Sequence, residues 1–226
     1  MIKEYSETVP IQYETGIARF MGMDIFVDPR VLIPRPETEL LIRTVVALCQ
    51  DRLLESLRVL DIGTGSGIVS LGVAKLLPNV SVLGVDISGD ALDVASRNIE
   101  KFGTSAIKLL QSDMFEAVDA ELEGTFDVIV SNPPYVSDKD YAKVDAWVKA
   151  EPRIALWSGE EGMDHLRILA DRGGKFLRSG GFIAVEIGYD QAEKTKCLFA
   201  EKGFTEIKGF FDSNGYERVI VGWKHG

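Results

Sequence analysis

The sequence predicts an α/β fold, Rossmann-like, with a mostly parallel seven-stranded sheet that closes in an antiparallel hairpin. Short β-branched runs alternate with longer amphipathic stretches, the mark of repeated βαβ units. A glycine-rich segment, Asp61-Ile-Gly-Thr-Gly-Ser-Gly67, stands between the first such run and the first amphipathic stretch, where a Rossmann-like sheet turns into its first helix. The chain ends on two apolar runs, residues 205–211 and 218–223, separated by Asp212-Ser-Asn-Gly-Tyr216, which is hairpin-turn chemistry.

Taken in order, residues 11–31 read as a β-rich approach, and Pro36 opens a helix that runs to about Leu48. Arg58-Val-Leu-Asp-Ile62 is the first sheet strand. Residues 68–77 have helical apolar spacing and stop before Pro78. Residues 80–86 form the second strand, and residues 89–102 a helix with Ala91, Leu92, Ala95 and Ile99 on one face before Gly103. Residues 107–111, 126–131 and 182–187 supply three more strands, with helices over about 162–177 and 191–202. Five parallel strands and the closing hairpin give seven. Residues 1–50 are expected to form an appendage packed on the main domain of residues 51–226.

At 226 residues the chain is long enough for one well-buried α/β domain. The net charge of −10 opposes broad, charge-driven binding to DNA or RNA. Met1-Ile-Lys-Glu-Tyr-Ser-Glu7 places charges where a signal peptide needs an apolar core, and no apolar run reaches membrane-spanning length. A cytoplasmic protein without membrane contact is therefore expected. Cys49 and Cys197 lack Cys-x-x-Cys partners and read as buried, reduced thiols. With His165 and His225 as the sole histidines, a histidine metal centre is not expected.

Gly63, Gly65 and Gly67 follow a G-x-G-x-G pattern rather than the dinucleotide G-x-G-x-x-G, because the sixth position falls on Ile68. A carboxylate at Asp61 would repel a diphosphate and attract an ammonium group. S-adenosyl-L-methionine carries that ammonium and a cationic sulfur. Thr64 and Ser66 complete the loop that would cradle it. Asp86 ends the second strand, where its two oxygens can accept both ribose hydroxyls, with Ile87 beside it. Asp113, Met114 and Phe115 follow the third strand and are expected to meet the adenine ring.

Asn132-Pro133-Pro134-Tyr135 sits at the carboxyl end of the fourth strand. The prolines fix φ and remove two N–H donors, which leaves a rigid loop with outward carbonyls, and the Asn132 side chain adds another acceptor. Two fixed acceptors can hold both hydrogens of a planar NH2 group while Tyr135 stacks on its plane. These residues suit an amide or an aromatic amine, including the exocyclic amine of adenine in DNA or RNA extruded from its stack, which the net acidity counts against. A cofactor-binding interaction protein without catalysis is a third reading.

Together with Pro10-Ile-Gln-Tyr-Glu-Thr-Gly16, Val31-Leu-Ile-Pro-Arg-Pro-Glu-Thr-Glu39, Val85 to Ser88, Glu151-Pro152, Gly180-Gly181 and Glu186-Ile-Gly188, these motifs resemble the HemK/PrmC family of protein-(glutamine-N5) methyltransferases. The resemblance implies the seven-stranded class I S-adenosylmethionine-dependent methyltransferase fold. It also implies S-adenosyl-L-homocysteine as product and the Gly-Gly-Gln glutamine of peptide-chain release factors as substrate. Site roles carried over are cofactor contact at Gly63 to Gly67, Asp86, Met114 and Asn132, substrate contact at Asn132 to Tyr135, and Arg35 and Glu37 lining the same cleft. Family members usually carry a helical domain ahead of the segment that begins here at Pro10, and this sequence is expected to be without it.

Overall fold

A computed structural model describes residues 9–52 and 54–226; the charged stretch Met1 to Glu7 lies outside the described residues. A short hairpin of β1 (Ile17–Phe20) and β2 (Met23–Phe26) follows α1 (Ile11–Thr15) and precedes α2 (Pro36–Leu48). The main sheet then alternates strand and helix: β3 (Leu57–Ile62), α3 (Ile68–Leu76), β4 (Val80–Asp86), α4 (Gly89–Phe102), β5 (Ile107–Gln111) and β6 (Phe126–Ser131). After β6 come the short helices α5 (Asp138–Tyr141) and α6 (Ala146–Lys149). The chain closes with α7 (Asp164–Phe176), β7 (Leu177–Glu186), α8 (Ala192–Glu201), β8 (Phe204–Phe211) and β9 (Glu217–Lys224).

The seven main-sheet strands lie in the order β5-β4-β3-β6-β7-β9-β8. All neighbours up to β7 are parallel, and β9 runs antiparallel between β7 and β8. This is the expected architecture. Its strands are apolar on both faces because both are covered by helices. Val59, Val128 and Val130 face the layer made by the β1–β2 hairpin, α2, α3 and α4, whereas Leu60, Ile129 and Ile183 face α7 and α8.

Helix ends follow local chemistry. Pro36 occupies the first turn of α2, where no N–H is needed. The Ser88 hydroxyl caps α4 by accepting from the Ala91 N–H at 3.1 Å, and Gly103 closes that helix in the left-handed region at φ 64°. Two expectations are corrected. Residues 11–15 wind into a helical turn, since Pro10 starts it and Gly16 ends it at φ 70°. Cys197 is exposed on α8, and only Cys49 is buried, where its thiol is pushed up to about 11 by desolvation. No described helix is long and apolar enough to cross a membrane.

One polar cluster locks the amino ends of three neighbouring strands. Asp127 on β6 accepts from the Arg58 backbone N–H of β3 at 2.7 Å, from Arg52 at 2.5 Å and from Arg178 of β7 at 2.5 Å. Burial alone would raise the Asp127 pKa, but these donors outweigh it and hold the carboxyl below its ordinary value. Asp127→Ala should therefore cost about 2 kcal/mol of stability in a denaturant titration, the scale of a lost hydrogen bond to a charged group. Because the folded pKa is lowered, the gap from wild type is full above the ordinary carboxylate pKa and closes as pH falls through the folded value.

Candidate active site

The chain reverses direction across the sheet between β3 and β6, so the loops leaving their carboxyl ends lie side by side. On the β3 side, Gly63, Gly65 and Gly67 adopt φ of 73°, 55° and 80°, conformations that side chains resist. Gly67 has a second constraint, because a Cβ there would stand 3.3 Å from the Ala95 Cβ of α4. The N–H groups of Gly63 and Thr64 both reach the Val85 carbonyl at 2.9 Å, which folds the loop over the end of β4.

Asp61 is fully buried beneath this loop. Its Oδ2 accepts from the hydroxyls of Thr64 at 2.7 Å and Ser70 at 2.6 Å and from the Ser70 N–H at 3.1 Å, while Oδ1 is buried without a hydrogen-bond partner among the described residues. Desolvation pushes its pKa up to about 6 against those bonds. Asp61 does not line the neighbouring cavity, so its first task is to brace the loop from below.

That cavity encloses about 320 Å³, and Gly63, Thr64, Gly65, Ser66, Asp86 and Ile87 form one side of it. Asp86 Oδ2 accepts the Gly65 N–H at 2.8 Å and Oδ1 the Ser88 N–H at 3.0 Å, which leaves lone pairs on both oxygens for a diol. Burial raises the Asp86 pKa, opposed by the N–H donors around it. Asp113 and Met114 line the far end. Met114 sits at φ 48°, a strained value for a side-chain-bearing residue, and Ser112 Oγ holds the turn by donating to the Met114 carbonyl at 2.9 Å. Phe115 departs from expectation: it turns into the core and stacks on Phe176 at 5.2 Å, away from the cavity.

Sequence reasoning missed part of the lining. His165, Trp157 and Thr38 also face this cavity, and the Ser158 hydroxyl lies 2.7 Å from His165 Nδ1. Desolvation lowers the His165 pKa and favours the neutral ring. Thr38 belongs to the Val31 to Glu39 segment but was not singled out within it, whereas His165 and Trp157 come from segments whose local pattern carries no binding signal.

On the β6 side, Asn132 and Pro134 line the same cavity, whereas Pro133, Tyr135 and again Asn132 line a second one of about 210 Å³ with Arg35, Trp147 and Leu156. Asn132 thus borders both spaces. The loop is pinned from three directions. Tyr135 and Val136 donate N–H bonds to the Leu156 carbonyl at 3.1 and 2.8 Å, Gln191 Nε2 donates to the Tyr135 carbonyl at 3.0 Å, and Asn132 Nδ2 donates to Thr38 Oγ1 at 3.1 Å. The Tyr135 hydroxyl lies between Glu186 at 3.4 Å and Arg218 at 3.3 Å.

Arg35 pairs with the buried Glu151 at 2.6 Å and stacks over Trp147 at 5.2 Å. Desolvation raises the Glu151 pKa, partly offset by Arg35. Glu37 lines neither cavity; it stands close enough to Tyr135 and Glu186 for its charge to raise both of their pKa values. The structure therefore brings together Gly63 to Ser66, Asp86, Ile87, Asp113, Met114, Arg35 and the Asn132 to Tyr135 loop, and sets Asp61, Gly67, Phe115 and Glu37 outside the cavity walls, Gly67 being turned against Ala95 of α4.

A family model described as Methyltransferase small domain matches residues 36–154. The release factor glutamine methyltransferase of Salmonella typhimurium is 36% identical over 222 residues, covering 98% of this chain and 78% of that protein. The one from Koribacter versatilis is 40% identical over 216 residues, covering 95% and 75%. Among solved structures, a protein-(glutamine-N5) methyltransferase (release factor-specific) from Alicyclobacillus acidocaldarius is 30% identical with a TM-score of 0.54, covering 88% of this chain and 99% of that one. A methyltransferase from Pyrococcus furiosus at 23% identity, TM-score 0.67 and 91% coverage of both chains shares the fold.

The two free lone-pair positions on Asp86 fit a ligand that brings a diol. Asp86→Ala should weaken S-adenosyl-L-homocysteine binding at least tenfold by calorimetry, the scale of one or two lost charge-assisted hydrogen bonds. Unchanged affinity would remove Asp86 from the site.

Proposed function

This chain belongs to the release factor glutamine methyltransferase family, and from that premise we propose that it methylates the side-chain nitrogen of a protein glutamine, the Gly-Gly-Gln glutamine of a peptide-chain release factor. One observation carries the reading: Asn132 belongs to the walls of both cavities. It marks the boundary across which a methyl group passes from cofactor to substrate.

S-adenosyl-L-methionine supplies an electrophilic methyl group on a cationic sulfur. Gly63, Thr64, Gly65, Ser66 and Gly67 would hold it along the loop backbone. Asp86 and Ile87 would take the ribose end, Asp113 and Met114 the adenine end. Phe115 supports that turn from the core, and Asp61 supports the loop from below.

A primary amide is a weak nucleophile because its lone pair is delocalised. Asn132 Oδ1 and the carbonyls of the proline pair accept its two N–H hydrogens, hold the nitrogen in line with the methyl carbon and polarise its N–H bonds. Tyr135 lies against the amide plane. Positioning of this kind is worth on the order of 7–11 kcal/mol in favourable intramolecular reactions. The nitrogen gains a methyl group and gives up one proton, which leaves to solvent. Arg35, held by Glu151 and Trp147, lines the substrate cavity, with Glu37 behind it. Of the appendage proposed over residues 1–50, the described part from Val9 onward supplies Arg35 and Thr38 and so acts as the segment that closes the site over the domain of residues 51–226. A substrate of the translation machinery places the enzyme in the cytoplasm.

Mass spectrometry of a release factor incubated with cofactor and enzyme should show one added methyl on the Gly-Gly-Gln glutamine. Asn132→Ala should keep S-adenosyl-L-homocysteine affinity and lose transfer by about a hundredfold or more, the scale of losing one aligned oxyanion-type contact. Transfer to adenine in nucleic acid, with none to a release factor, would overturn the proposal.

A further inference from the structure

Asn132 shares the boundary between the two cavities with other residues. Among the described residues, Leu32 and Ala155 also line both spaces, and no others do. The three come from separate parts of the chain: Leu32 from the segment ahead of α2, Asn132 from the end of β6, and Ala155 from a short 3-10 turn, Arg153–Ala155. Side chains that belong to the walls of two adjoining cavities frame the opening between them.

The two apolar members of this frame are both held in place. Val31 and Ile33, on either side of Leu32, are buried, and the Val31 carbonyl accepts from the Tyr13 hydroxyl at 2.5 Å, which leaves Leu32 to project into the opening. Ala155 is fixed through its neighbours. Its N–H donates to the Pro152 carbonyl at 2.9 Å, the Leu156 carbonyl takes the N–H groups of Tyr135 and Val136, and the Ser158 N–H returns to the Val136 carbonyl at 3.0 Å. This segment runs beside the Asn132 to Tyr135 loop, with Val136 and Trp157 as bridge partners. Position 155 is thus tied to the loop that grips the amide, and it carries only a methyl group.

Transfer is an in-line displacement. The nitrogen–carbon bond forms as the carbon–sulfur bond breaks, the electron pair of the broken bond stays with sulfur, and a proton leaves the nitrogen for solvent. The reacting atoms must first approach to about 3–3.5 Å, so nothing but the transferred group can stand in the opening. We propose that Leu32 and Ala155 form a neck between cofactor and substrate and set the size of the group that passes: a methyl fits, and a longer carbon chain does not. The proposal rests on the reading of the two cavities given above. Alanine on one side keeps the opening clear, and the branched leucine on the other confines it.

The test uses the whole chain with a release factor and two cofactors, S-adenosyl-L-methionine and its analogue with an allyl group in place of the transferable methyl. The allyl double bond eases displacement at the adjoining carbon, so size rather than reactivity limits its transfer. Wild type should transfer allyl roughly a hundredfold more slowly than methyl, the scale on which a pocket discriminates an added carbon. Leu32→Ala should raise allyl transfer roughly tenfold over wild type, a gain that a damaged fold cannot produce. Ala155→Leu puts a branched chain into the opening and should lower kcat for methyl about a hundredfold, the scale of an ångström's misplacement at the reacting atoms. Its affinity for S-adenosyl-L-homocysteine by calorimetry and its KM for the release factor should match wild type. Allyl transfer by wild type at the methyl rate, or by Leu32→Ala no faster than by wild type, overturns the neck. So does Ala155→Leu with wild-type kcat, or with a rate loss matched by weaker cofactor affinity or a higher KM, since residue 155 would then be merely a wall of one cavity. Absence of methyl from the release-factor glutamine after incubation with wild type would instead overturn the reading on which the neck rests.

Discussion

The Ser131 hydroxyl donates to the Ile62 carbonyl at 2.7 Å, both residues fully or almost fully buried at the centre of the sheet. Ser131 is the residue before Asn132, and Ile62 the residue before Gly63. This bond extends the β3–β6 pairing to the last residue of each strand, where Ile62 and Ser131 are register partners. Beyond it the two chains diverge into the two functional loops. The distance between a methyl donor and its acceptor must hold to a fraction of an ångström, and here it is fixed by the stiffest part of the molecule rather than by either loop. Asp127 performs the matching task at the opposite ends of the same strands, so β3 and β6 cannot slide without breaking buried polar contacts at both ends.

Buried carboxylates recur around this frame, and each is costly to bury without compensation. Asp61 is compensated by two hydroxyls and an N–H, Glu151 by Arg35, and Glu186 by the Tyr135 hydroxyl at 3.4 Å and the charge of Arg218. None of them is needed to fill the core, where a leucine would do better. What they share is a neighbour that faces a cavity: Thr64 for Asp61, Arg35 for Glu151, Tyr135 for Glu186. The carboxylates orient those neighbours, and the stability they cost is spent on the geometry of the site.

The sheet was legible because its period is written twice, in β-branched runs buried on both faces and in helices marked by Gly103, Pro36 and Pro78. The glycine loop, Asp86 and the Asn132 to Tyr135 loop were legible because they directly follow strands, and position along a strand end is readable in one dimension. Residues 11–15 were misread because four or five residues give no period, and Pro10 and Gly16 decide their shape. Cys197 and Phe115 were misplaced because which face of a helix or turn meets the core depends on neighbours far away in sequence. His165 went unseen for the same reason, and although Thr38 stands within the Val31 to Glu39 segment, nothing there announces that Asn132, far along the sequence, will meet its hydroxyl. Local pattern reveals the elements and the first residues after them, whereas partners drawn from other elements appear only in the fold.

The nature of the reaction explains why so many anchors converge on one four-residue loop. An amide nitrogen has almost no basicity, and its proton is far too weakly acidic for any side chain here to remove before attack, so rate must come from alignment. Alignment demands that the loop not yield when the amide pulls on it. Two prolines stiffen the backbone from within, but they also strip it of donors, and a segment short of donors must be tied from outside. Leu156 receives its two N–H groups, Gln191 holds the Tyr135 carbonyl, and Thr38 holds the Asn132 side chain. Gly162 permits this closeness, because a Cβ at that position would stand 2.3 Å from the Tyr135 carbonyl oxygen. Each tie comes from a different element of the fold, so no local motion of one of them can carry the loop with it.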